Sequence, residues 1–195
     1  MILGLVVACI AATVAIFRGG SLVRLAETRV SGIVLLVVAV AVQVAAVTIS
    51  SAQDLGETTV ALIFLFVNAL VAAFIYQNRR LPGIWVLAGG LLLNTLVIAA
   101  NGGMPMAQTA ANIAGFGDDL DQIDVEHELM TPATRLKALG DVIPVPRAQL
   151  VVSLGDVLLA LGIGRFVFVR ALKPGSATAT PPPFPQVPLP REGRG

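Results

Sequence analysis

Asp156 is the residue whose setting calls for a chemical explanation. It lies inside VVSLGDVLLALGIGRFVFV, residues 151–169, a run that is otherwise uncharged as far as Arg165. A carboxylate in an apolar medium is costly, so it is expected to be paired or to carry function. If the run crosses a membrane from Leu150, Asp156 lies roughly 9 Å below one surface, at about 1.5 Å per residue. Asn94 and Gln43 fall at a similar depth on two other apolar segments, and Asn68 lies nearer the middle of a third. Their amides could donate hydrogen bonds to the carboxylate, or accept one from its protonated form. Asp156 then has three readings. It is glue between helices, a site for an ion, proton or small ligand, or part of a helix cap. The cap reading rests on Ser153-Leu-Gly-Asp156, which has capping-box spacing. A helix opening there would leave only about 13 apolar residues, too few for an unaided crossing. Arg165 falls on the opposite helix face, about 13 Å along the axis, so the two do not pair on one helix.

Other chemistries are sparse. Asp141 and Asp156 could serve as an acid–base pair. The chain has no GxSxG elbow and no HExxH, and its one histidine, His127, cannot form a zinc-binding pair. The acidic run GDDLDQIDVEHELM lacks the glycine and glutamate positions of a calcium-binding EF-hand loop, and it reads as a solvated acidic face. Asn101-Gly102-Gly103 is a helix stop, because Asn and Gly accept positive φ beyond a last turn, and no GKS or GKT follows to cradle phosphate. Cys9 stands alone in an apolar run and reads as a small buried thiol. No metal site and no cofactor are expected. A net charge of +1 gives no basic surface suited to nucleic acid.

The elements that carry these residues are helices. Hydrophobic residues make up 56% of the chain and charged ones 13%, about half the usual share for a soluble domain. The charges are absent from long stretches. Five apolar segments result, at about 2–17, 30–49, 59–76, 81–100 and 150–169. Four approach the roughly 20 residues needed to cross a hydrocarbon core, and the first is somewhat short. The expected fold class is all-α, a polytopic membrane bundle of about five transmembrane helices. Residues 1–172 form the membrane domain.

The loops set an orientation. Arg18, Arg24 and Arg29 follow the first segment, Arg79 and Arg80 follow the third, and Arg170, Lys173, Arg191 and Arg194 follow the fifth. The second loop holds only Asp54 and Glu57. The fourth, residues 101–149, holds seven acids against three bases. By the positive-inside rule the chain is a multi-pass plasma-membrane protein with its N-terminus outside and C-terminus cytoplasmic. No basic region precedes the first segment, which favours an uncleaved helix over a signal peptide. In the outer loop, TPATRLKALGD predicts a short interfacial helix, with Thr131 as cap, Pro132 at its first position and Gly140 as stop. The tail 173–195 is rich in Pro, Ala, Thr and Gly and is expected to be disordered and cytoplasmic.

FRGGSLVRLAETRVSG, LLLNTLVIAANGGMPM, HELMTPATRLKALGDVIPVP and VVSLGDVLLALGIG resemble a family of small bacterial integral membrane proteins classified as a domain of unknown function. The resemblance covers roughly residues 1–170. Its most specific parts are Asn101-Gly-Gly-Met-Pro, the His127…Thr134…Gly140-Asp141 stretch and Ser153-Leu-Gly-Asp156. It implies a multi-span membrane fold and no activity. The expected function is a non-enzymatic module that assembles with a membrane protein partner or a second copy of itself in the lipid bilayer. The alternative is binding or transport of an ion or small ligand through the outer-facing cluster of Asp156, Asn94 and Gln43. Asn101, Gly102, Gly103, His127 and Asp141 are the candidate outer-loop residues. An intramembrane enzyme is the third reading.

Overall fold

The computed structural model describes residues 2–50, 57–116 and 127–172. Asp54, the acidic run over 118–126 and the Pro-rich tail lie outside the described residues. The rest is mostly helical. The helices are α1 (Ile2–Phe17), α2 (Leu22–Ala26), α3 (Ile33–Ser50), α4 (Glu57–Gln77), α5 (Ile84–Asn101), α6 (Gln108–Ala114) and α7 (Leu154–Leu172). α1, α3, α4 and α5 match the first four apolar segments to within a few residues. α5 is long and apolar enough to cross a membrane, with 18 residues at a mean hydropathy of 1.8.

Small residues decide how the helices meet. α7 is the hub, packed between α1 and α5. Gly83 and Gly90 stand seven residues apart at the start and middle of α5, and Gly155 and Gly162 are spaced the same way on α7. The helices run antiparallel, so Gly90 meets Gly155 while Gly83 meets Gly162. A Cβ on Gly90 would lie 2.8 Å from the Leu159 backbone nitrogen, and one on Gly162 would lie 2.7 Å from that of Leu87. Only hydrogen fits between these backbones. On the α1 side, Gly164 lies against Val7 and Gly4 against Ile163. Beyond α5, the helices continue as α4 and then α3, which packs on α4. Thr95 Oγ1 of α5 donates to Asn68 Oδ1 of α4 at 2.8 Å. The order α1–α7–α5–α4–α3 is a row with two outer sides.

One end of this row gathers the basic connections. The Ser21 N–H donates to the Ala171 carbonyl at 2.9 Å, joining the α1–α2 turn to the end of α7. Arg24 Nη1 donates to the Leu172 carbonyl at 3.4 Å, where a cation suits a helix C-terminus. Asn78 clasps the backbone of Ser31, donating to its carbonyl at 2.8 Å and accepting from its N–H at 3.0 Å. Beneath this clasp Phe74 and Ile75 of α4 and Ile84 of α5 form a buried apolar cluster, against which Leu35 and Leu36 of α3 pack. Asn78→Ala is expected to lower unfolding stability by about 1–2 kcal/mol, because the side chain supplies both bonds to Ser31. A denaturant titration of the purified chain measures this, and an unchanged midpoint would contradict it.

The other end is a small mixed cap, which corrects the all-α expectation. β1 (Met104–Met106) pairs in parallel with β2 (His127–Leu129), and β3 (Ile143–Val145) pairs antiparallel with β4 (Leu150–Val152). α6 covers them with a core of Met106, Ala110, Ala111, Ala114 and Val151. No α-helix forms over 131–140. Thr134 Oγ1 takes the Thr131 N–H at 2.8 Å, closing a local turn, and Leu136 adopts a left-handed φ of 53°. Only a 3₁₀ turn, Lys137–Leu139, follows. The last long helix also starts later than its apolar run, because residues 150–152 are spent on β4. It gains length at its other end, reaching Leu172.

Candidate functional site

Where α5 and α7 cross near the cap, three polar side chains close into one hydrogen-bonded node. Ser153 precedes α7, and its Oγ accepts from the Asp156 N–H at 3.0 Å. Asp156 Oδ2 accepts from the Ser153 N–H at 3.0 Å. These are the two reciprocal halves of a capping box. Asp156 Oδ1 accepts from Asn94 Nδ2 at 2.9 Å, and Asn94 Oδ1 accepts from Ser153 Oγ at 2.9 Å. The chain Ser153–Asp156–Asn94–Ser153 is therefore a ring. Ser153 is fully buried, while Asn94 and Asp156 are half-buried.

Local sequence builds each part. Ser153 stands between the strand β4 and the first turn of α7, the position a cap occupies. Asp156 sits in the first turn of α7, where the helix dipole favours negative charge. Gly155 leaves the space that Asn94 fills, since a Cβ there would collide with the Asn94 carboxamide. The glue and capping readings of Asp156 thus merge, because one oxygen caps its own helix while the other ties down α5.

The node is chemically quiet. Each carboxylate oxygen already has an N–H partner, and the serine hydroxyl is donated to an amide oxygen rather than to a base. Among the described residues, no group of three or more His, Cys, Asp or Glu side chains is placed to hold a metal.

The structure brings Asn94 to Asp156 as their depths suggested, but not Gln43. Gln43 lies on α3, separated from α7 by α5 and α4 in the row, with its side chain exposed. Shared depth fixed the level, and the order of helices decided which neighbours meet. Ser153 belongs to the node as much as Asp156, and its capping-box spacing was the signal. Asn68 is occupied elsewhere, donating to the Phe64 carbonyl at 2.8 Å and accepting from Thr95.

The outer-loop candidates fall into the cap. Asn101 ends α5, and Gly102 takes a left-handed φ of 87° as its cap, donating to the Ile98 carbonyl. Asn101 Oδ1 accepts from the Arg135 N–H at 2.8 Å, and its Nδ2 donates to the Arg135 carbonyl at 3.0 Å. The helix stop therefore also fastens the distant loop. Gly103 continues the bend into β1. Asp141 is buried at 2% exposure in a bridge to Met106, with its N–H donating to the Pro105 carbonyl at 2.9 Å. Asp141 lies in the cap, and Asp156 lies in the first turn of α7. His127 opens β2 opposite Met104, and its side chain lies outside what is described. Cys9 is exposed on α1, contrary to the buried-thiol expectation, because α1 turns its small residues Gly4 and Ala15 inward instead.

The described residues thus form a row of apolar helices, locked by a capped Asn–Asp–Ser ring under a small mixed cap. The chain belongs to a family of unknown function (DUF5317), whose model matches residues 27–168. That match contains the node and the described cap, and leaves out α1. An uncharacterized protein of Thermotoga maritima is 31% identical over 105 residues, which are 52% of this chain and 58% of that relative. The chain thus matches less than two thirds of that relative's length. No solved structure matches.

Proposed function

We propose that this chain is a five-pass membrane protein, with α1, α3, α4, α5 and α7 as spans, that acts as a non-enzymatic module assembling with a membrane partner. The observation that carries the membrane reading is exposure of large apolar side chains on every one of these helices. Leu5 is 67% exposed, Val34 67%, Leu65 67%, Leu92 57% and Leu161 53%. Helices that are apolar all round belong in a core or in lipid, and these are not in a core. Only 17% of the apolar window of α5 is buried. The basic connections gathered at one end supply the orientation, with that end cytoplasmic and the cap outside.

The assembly reading rests on the open row. A closed bundle would bury the outer sides of α1 and α3, which here are free for another protein. The polar ring spends its hydrogen bonds internally, as a structural lock does. The competing reading, passage or binding of a small ligand beside Asp156, is favoured by the half-exposure of that carboxylate.

Two measurements test this. Alkaline carbonate extraction is expected to leave the chain in the membrane pellet, and release into the supernatant would defeat the membrane reading. In a Cys9→Ala background, a membrane-impermeant thiol reagent on intact cells is expected to label Ala133→Cys, on the cap, and not Thr28→Cys. The reverse pattern would invert the topology. Affinity capture from native membranes then tests assembly, with a stoichiometric partner or second copy expected. Recovery of the monomer alone would count against it.

A further inference from the structure

The basic end holds a cavity of about 310 Å³ that the node does not involve. It is lined by Arg29, Ser31, Gln77, Asn78, Arg79 and Arg80, with Leu81. Its cations come from two separate connections, one before α3 and one after α4. A positive-inside bias requires basic residues only somewhere in these loops. Here the Asn78–Ser31 clasp holds both connections to one another, so the three guanidiniums are carried on one shared frame. Asn78 is 4% exposed, and its amide is spent on Ser31 and on the Phe74 carbonyl, so it builds the pocket rather than serving it. Arg79 is oriented by its Nη1 bond to the Tyr76 carbonyl at 3.1 Å and by its stacking on the Tyr76 ring at 4.5 Å. A guanidinium has five N–H donors, so most of those on Arg79 remain for a ligand. Among the described residues, Arg29 and Arg80 make no ion pair and no hydrogen bond. Three cations around one cavity, with no acid in its lining among the described residues, form a setting for an anion. The volume is that of about ten waters, which admits a phosphodiester.

An adjoining apolar surface names the rest of the ligand. An exposed apolar face runs along α3, formed by Leu36, Val37, Val40, Ala41, Val44 and Ala45. Its first residue is five positions beyond Ser31, roughly 7 Å along the helix. The exposed Ile33 and Val34 lie in the interval. Phosphate chemistry at the helix end and an apolar track leading from it match one molecule. We infer that this end of the protein binds an anionic phospholipid, with its phosphate held by Arg29, Arg79 and Arg80 and one acyl chain laid along α3. The inference rests on the membrane reading and deepens it.

The test uses the purified full-length chain in neutral detergent, after carbonate extraction has answered the membrane question separately. Native mass spectrometry is expected to show phosphatidylglycerol retained in preference to phosphatidylcholine. The Arg29→Gln/Arg80→Gln variant is expected to weaken this retention at least about tenfold, the range for lost charge-assisted bonds. Neither side chain has a partner among the described residues, so the fold is expected to persist, and circular dichroism checks it. Ala41→Trp, which places a bulky ring in the middle of this apolar face, is expected to weaken retention while leaving the arginines in place. Arg147→Gln, in the cap, is the control and is expected to bind as before. Equal retention of both lipids, or undiminished retention by the double variant, would overturn the inference. So would a site that takes inorganic phosphate, detected by isothermal calorimetry, but no phosphatidylglycerol.

Discussion

Gly90→Ala is expected to destabilise the protein by about 3 kcal/mol, the upper part of the range for overpacking a closely packed interface. The added methyl would lie 2.8 Å from the Leu159 nitrogen and closer still to the Gly155 carbonyl. Both are backbone atoms inside a helix and cannot turn aside as a side chain could. α5 and α7 must separate, and the hydrogen bonds of the node lengthen with them. Gly162→Ala is expected to cost about the same at the other contact, for the same reason. The neighbouring Gly89 supplies the control. A Cβ there has only Leu158 Cδ1 at 4.0 Å, ordinary contact distance. Gly89→Ala is therefore expected to be neutral, or to stabilise by up to about 1 kcal/mol through helix propensity. Unfolding in mixed micelles, followed by the fluorescence of Trp85 on α5, measures all three variants. Equal effects of Gly89→Ala and Gly90→Ala would refute the close-packed interface.

The second large effect is expected at Asp156. Asp156→Ala removes the acceptor of the Ser153 N–H and the partner of Asn94 Nδ2 in one step. Losing the cap costs about 0.5–2 kcal/mol, and the half-buried amide left unpaired adds about 1–3 kcal/mol. A total of about 2–3 kcal/mol is expected, since relaxation recovers part of it. Asn94→Ala breaks only the link between helices and spares the cap, so about 1–2 kcal/mol is expected for it. Because both residues serve one ring, the double variant is expected to lose less than the sum. A double-mutant cycle on unfolding free energies reads the coupling. Strict additivity would mean that the ring is not one unit. If Asp156→Ala left stability intact but abolished a measured flux or ligand affinity, the scaffold reading would give way to the transport one.

Much of the fold was legible along the chain. Apolar segments of crossing length mark four of the long helices to within a few residues, because hydrophobic run length is a local quantity. Asn101-Gly102 marked the end of α5, because only certain residues accept the left-handed turn there. Ser153-Leu-Gly-Asp156 carried the spacing of the cap, and its competing reading as membrane glue also came from depth alone. Where the chain misled, a longer-range bond had intervened. TPATRLKALGD has good helix signals, yet Thr134 folds back on Thr131 and Asn101 holds Arg135 from 34 positions away. Leu150–Val152 read as helix because its residues are apolar, and it became a strand because Ile143–Val145 pairs with it.

The sequence by itself determined the lengths of the apolar helices, the end of α5, the polar residues placed within these helices and the basic loops between them. Each depends on residue type and near neighbours. Only the tertiary structure decided that Asn94 and not Gln43 meets Asp156, and that Asn78 ties two basic connections into one pocket. It also decided that paired glycines seven apart lie face to face. Those outcomes depend on which helices are neighbours and how each is rotated about its axis. Helices apolar on every side carry no stripe that records a rotation. The contacts of small and polar residues fix it only once the helices have met.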